Sequence, residues 1–157
     1  MTRTTTRPTT LGPTRLPARP APEAADEAGV AAALRALGAL ALLAVGAVHL
    51  EQYFAGDIRT VSVIGPLFLL NFAGATVLAI ALLLPLGRRG MMIRRLAAVG
   101  GIGLALTSIV FLLISEHRTL FGFMEDGYRP AIVFALVVEG VAAVLLAVYL
   151  AVDMRSR

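Results

Sequence analysis

The stretch "AIVFALVVEGVAAVLLAVYLAV", residues 131–152, decides the fold. Of its twenty-two residues only Glu139 is charged. A helix rises 1.5 Å per residue, so a segment of this length covers the roughly 30 Å hydrocarbon core of a bilayer. Three further runs share its character, at about 33–53, 62–86 and 96–114. Lipid offers backbone N–H and C=O groups no partner outside the chain, so each run is predicted to be a helix. Gly46, Pro66, Gly74, Gly101 and Gly103 do not argue against this, because small residues let membrane helices approach closely. The expected fold class is an all-α, four-helix transmembrane bundle.

Composition points the same way. The 157 residues are 58% hydrophobic and 15% charged, with a mean hydropathy of +0.83. Soluble domains lie nearer 45–50% apolar and about 25% charged. A chain this short cannot hide so much apolar surface in one water-soluble core. The absence of cysteine excludes disulfides, thiolate zinc sites, iron–sulfur clusters and thiol redox chemistry. All fourteen basic residues are Arg; with the heavy Ala content, this suggests a GC-rich bacterial genome.

Outward from the helices lies the segment "MTRTTTRPTTLGPTRLPARPAP", residues 1–22. It has no apolar period and cannot offset the entropy of ordering. Residues 1–30 are therefore read as a disordered Thr/Pro/Arg-rich cytoplasmic tail, and 31–153 as the transmembrane domain. The first apolar run exceeds the 7–15 residues of a cleavable signal, so an uncleaved membrane helix is expected.

The arginines set orientation. Arg3, Arg7, Arg15, Arg19, Arg35, Arg88, Arg89, Arg94, Arg95, Arg155 and Arg157 fall on one side of the four runs. Arg59, Arg118 and Arg129 fall on the other, among Glu51, Asp57, Glu116, Glu125 and Asp126. The positive-inside rule then puts both termini in the cytoplasm of a multi-pass protein of the bacterial cytoplasmic membrane. The pI of about 10.6 is a topology signal. It implies anionic lipid headgroups at the inner side as partners, and no nucleic acid.

Polar residues inside the runs favour the outer half: His49, Asn71, Thr107, Ser108 and Glu139. Glu139 is the costliest, since an acid at helix centre costs roughly 2.5–3.5 kcal/mol on insertion scales and normally faces the bundle or a water-filled cavity. Ala135, Ala142 and Ala143 share its face and support inward placement. It is either a proton or cation site or one end of an interhelical hydrogen bond, to Asn71 or His49. His49 has Tyr53 at i+4 on the same face, whereas Glu51 points about 200° round the helix. His49, Asn71, Glu139 and Tyr53 form the candidate buried polar cluster, with His117 as a secondary candidate. Paired histidines could hold haem, or a metal together with a carboxylate, but no characteristic ligand spacing is present. No catalytic residue, metal or cofactor is assigned.

A shift of 68 residues lays His49 on His117, Tyr53 on Phe121, Asp57 on Glu125 and Asn71 on Glu139. This suggests a duplicated helix–loop–helix unit in parallel orientation. Arg59 and Arg129 match only at a different offset, and apolar residues match readily in any two membrane helices.

The segment "HLEQYFAGDIRTVSVIGPLFLLN", residues 49–71, and the later "LFGF…GY", residues 120–128, resemble an uncharacterised family of small four-pass membrane proteins of actinobacteria. That family pairs an H-L-x-x-Y element with I-G-x-L-F-L-L-N. The resemblance implies a fold and a membrane location and carries no catalytic residue. No P-loop, dinucleotide fingerprint or nucleophile–base constellation is present, so no enzyme is expected. Three roles stay open: an accessory or scaffolding protein acting through helix packing, as a homodimer or with another membrane protein; a proton-coupled transporter using Glu139; and an outer-face metal- or haem-binding redox protein using His49 and His117.

Overall fold

The computed structural model describes residues 22–55, 58–87, 90–125, 127 and 129–155. Most of the tail read as disordered, residues 1–21, lies outside the described residues. Four helices account for nearly all of the rest: α1 Pro22–Ala55, α2 Ile64–Leu83, α3 Gly90–Ser115 and α4 Pro130–Arg155. A single 3₁₀ turn, Ile58–Thr60, joins α1 to α2. Each helix is long and apolar enough to cross a membrane. No strand occurs among the described residues. The chain is a four-helix membrane-spanning bundle.

The helix ends differ from the sequence reading. α1 runs back to Pro22, nine residues into the segment read as tail. The stretch after it is rich in Ala, the best helix former, and Asp26 and Glu27 are exposed. α2 stops at Leu83 because Pro85 forces the residue before it into extended geometry; Leu84 accordingly has ψ 133°. α3 begins at Gly90 and takes in Arg94 and Arg95. Their guanidiniums find partners rather than breaking the helix. Arg94 donates to the Leu84 carbonyl (2.8 Å), and Arg95 pairs with Asp153 of α4 at 2.6 Å.

The helices close a ring. α1 and α3 each pack against α2 and α4, so α1 and α3 face one another diagonally. Toward the arginine-bearing end the helices pack tightly around an aliphatic core. Ala39, Leu42, Leu82, Ala98, Ala142 and Leu146 are fully buried there. Leu146 is wedged between two backbones: a Cβ on Gly38 would lie 2.6 Å from its Cδ2, and one on Gly101 2.7 Å from its Cδ1. Most other large apolar side chains face outward, as lipid requires.

The connection between α3 and α4 contains a tight hairpin. Leu120 and Phe123 exchange both backbone hydrogen bonds, at 2.7 and 2.9 Å. Between them Phe121 (φ 52°) and Gly122 (φ 82°) are both left-handed, the pattern of a type I′ turn. Glycine tolerates this at no steric cost, whereas an exposed Phe does not. Phe121→Asn is expected to stabilise the protein by about 0.5–1 kcal/mol, read as a raised thermal midpoint by circular dichroism; a lowered midpoint would show that the ring anchors the loop.

Candidate functional site

The half of the bundle away from the paired Arg95 and Asp153 is built differently. There α1 and α3 end and α2 and α4 begin. Counting along each helix puts His49, Asn71, Ser108 and Glu139 six to nine residues inside that end. They border one cavity of about 370 Å³. Its walls are mostly apolar, with Leu67 and Phe68 from α2, Phe111 and Leu112 from α3, and Ile132 from α4.

Glu139 is 1% exposed and His49 8%. They approach across the bundle, His49 Nε2 to Glu139 Oε1 at 3.7 Å, beyond direct hydrogen-bond range. Ser108 on α3 stands beside them, its Oγ 3.0 Å from His49 Nε2. On the far side of the ring, His49 Nδ1 lies 2.9 Å from the Val45 carbonyl of its own helix.

These contacts have a direction. A carbonyl only accepts, so His49 Nδ1 carries a hydrogen and donates it to Val45. Nε2 is then free either to accept or to donate. Either Ser108 donates to Nε2 of a neutral imidazole, or Nε2–H of an imidazolium donates to Ser108. A neutral imidazole with a protonated Glu139, or an imidazolium with its carboxylate, leaves the pair without net charge, which suits burial in a low-dielectric site.

The cavity is incompletely satisfied. Glu139 Oε2 is buried and lacks a hydrogen-bond partner, and so does Asn71 Oδ1. Both residues line the cavity. A buried acceptor without a partner costs on the order of 1–3 kcal/mol, so two in one chamber mark a place where a donor belongs.

The chamber is covered at its axial end and open at its side. Ile58 of the first loop and Leu120, Phe123 and Glu125 of the second lie over it. Glu125 is held down by its N–H to the Ser115 carbonyl (3.1 Å), and its carboxylate takes Arg129 at 2.7 Å. Between α2 and α3 the lining includes Leu70, Gly103, Thr107 and Phe111, all exposed on the outer surface. Further along, Gly74 against Leu104 and Gly100 against Leu78 bring those two helices together and close the base.

Of the sequence-selected cluster, His49 and Glu139 come together, and Asn71 borders the same space without bonding to either. Tyr53 does not join them; its ring packs edge-on against Phe54, centroids 5.1 Å apart. His49 stacks obliquely on Phe68 instead, at 4.9 Å. His117 is exposed, donates to the Leu113 carbonyl at 3.0 Å and is absent from the cavity lining. The i−4 backbone bond is one that both histidines make, but only His49 is buried. No group of three His, Asp or Glu residues able to hold a metal occurs among the described residues.

Ser108 is the residue that the candidate cluster lacked. Its signal was phase: Gly101, Ala105, Ser108, Leu112 and Ser115 fall at alternating spacings of three and four, one inward stripe, while neighbouring Thr107 faces out. Comparison with known proteins finds no matching family model, no matching curated protein and no matching solved structure.

Proposed function

We propose that this protein is a small proton-coupled carrier of the bacterial cytoplasmic membrane. It binds a compact, largely apolar solute with a hydrogen-bond-donating head. The observation that carries the reading is Glu139, a cavity-lining acid whose Oε2 is buried with no partner. A proton and the donor head of a cargo compete for this carboxyl, which is the minimal requirement for coupling one to the other. Ser108 and His49 give a released proton a nearby acceptor. Asn71 Oδ1 supplies a second acceptor to orient the head, and the apolar walls take the body.

The scaffolding alternative rests on small-residue faces. Gly38, Gly46, Gly74 and Gly101 meet side chains of this same chain, so these packing surfaces are used within the bundle. That favours the carrier. Reconstitution into liposomes tests it directly. Alkylamines, alkanols and alkylamides of five to eight carbons are applied in turn under an imposed pH gradient, with internal pH followed by a trapped dye. The carrier reading expects at least one class to move protons, and a panel with no response beyond empty liposomes overturns it.

The arginine distribution supports both termini in the cytoplasm and the cavity near the outer face. The chain lacks cysteine, so single-cysteine labelling is clean. Thr119→Cys is expected to react with a membrane-impermeant maleimide in intact cells, and Arg155→Cys only after permeabilisation. The opposite pattern would invert the topology.

A further inference from the structure

The other end of the bundle holds a second cavity, of about 290 Å³, whose lining includes Ala31, Arg35, Met91, Arg94, Tyr149 and Asp153. Arg35 is twenty residues from Ala55 along α1, about 30 Å at helical rise. That distance sets the cavity one hydrocarbon thickness from the opposite end, at the level of lipid headgroups.

Its electrostatics are unbalanced. Asp153 is clamped by Arg95, with Nε to Oδ2 at 2.7 Å and Nη2 to the Asp153 carbonyl at 3.1 Å. Arg35 and Arg94 line the same space, and among the described residues neither has an ion pair with a carboxylate. Among the described residues, Arg35, Arg94 and the Asp153-bound Arg95 stand against that one acid, an excess of positive charge. Two donors also go unused: Arg35 Nε and Arg94 Nε are each buried without a hydrogen-bond partner. They belong to residues of different helices, α1 and α3, that line one chamber. Guanidinium Nε–H groups with their adjacent Nη form forks that match tetrahedral oxyanions.

We propose that this cavity binds a phosphate group, supplied as the phosphodiester of an anionic phospholipid, with Arg35 and Arg94 as its two clamps. The acyl chains run down the adjoining apolar helix surface, and the two unused Nε–H groups find their acceptors in the phosphate oxygens. The site is independent of the cavity at His49, so it stands or falls without the carrier reading.

Native mass spectrometry of the detergent-solubilised full chain tests the assignment. Phosphatidylglycerol, phosphatidylcholine and inorganic phosphate are added in separate titrations. Wild type is expected to retain one phosphatidylglycerol at least about tenfold more tightly than phosphatidylcholine, given two cations at the site. Arg35→Gln with Arg94→Gln is expected to remove that preference, while Arg118→Gln at the opposite end keeps it. Arg94 also bonds the Leu84 carbonyl, so a charge-preserving pair, Arg35→Lys with Arg94→Lys, guards against misfolding. It retains positive charge but loses the forks, and is expected to weaken binding. Equal retention of phosphatidylglycerol by wild type and both double variants overturns the site. An inorganic phosphate adduct without any phosphatidylglycerol preference overturns the lipid as its source.

Discussion

Glu139→Gln is expected to reduce proton-linked flux in liposomes to background, a loss of about a hundredfold or more for a positioned proton-transfer group. The substitution is nearly isosteric, so the bundle should fold with unchanged helicity and elution. What it removes is the exchangeable proton. Ser108→Ala leaves the acid but removes the neighbouring hydroxyl that bonds His49 Nε2 at 3.0 Å. It is expected to slow flux while leaving cargo affinity largely intact. If Glu139 served only to join helices, Glu139→Gln would transport as wild type does, and unchanged flux sinks the carrier role. A fall in thermal stability without a change in flux would point to the same conclusion.

Gly101→Leu is expected to have the largest effect on stability. Even a Cβ at this position would lie 2.7 Å from Leu146 Cδ1 and 2.9 Å from Leu42 Cδ1. Both leucines are fully buried and cannot swing outward without opening the ring between α1, α3 and α4. Overpacking a tight core costs typically 1–3 kcal/mol and occasionally more; here two clashes arise before the rest of the side chain is placed. A loss of about 3 kcal/mol or more follows, measurable as a lower melting temperature in detergent or as failure to elute as a monodisperse species. Gly103→Leu is the matched control, because nothing lies within 4 Å of a Cβ there. It should fold normally but fill part of the lateral opening, so flux falls while the melting temperature holds. Similar melting for Gly101→Leu and wild type would contradict the packing described.

The architecture was legible because hydropathy alone bounds it. Four runs near twenty residues leave few alternatives in a chain with so few charges. Helix ends were less legible, for a definite reason. Arg94 and Arg95 look like loop residues when charge is taken to end a membrane helix, yet each finds a partner, at the Leu84 carbonyl and at Asp153. The polar cluster was partly legible. Glu139 and His49 announce themselves by their cost in lipid, and depth counting places both in the outer half. The serine beside them did not announce itself, since serine is cheap in a membrane helix and stands beside an equally cheap threonine. Only the relative rotation of α3 decides that Ser108 turns inward. Tyr53 shows the converse: an i+4 spacing permits a shared face, but neighbouring Phe54 and the reach of Phe68 to the His49 ring leave Tyr53 elsewhere.

The side opening between α2 and α3 has a consequence for how any occupant is measured. Loop residues cover the axial end, and exposed Leu70, Gly103, Thr107 and Phe111 border the gap. A molecule that reaches Glu139 this way arrives from the bilayer, not from water. Its effective concentration is set by partitioning into lipid, so half-saturation quoted per litre of buffer changes with the amount of lipid present. Along a series of homologous chains, apparent affinity in water improves by about 0.8 kcal/mol per methylene buried. Much of that gain belongs to the membrane. Recalculated per mole of lipid, the series should flatten, and the remaining differences report the protein.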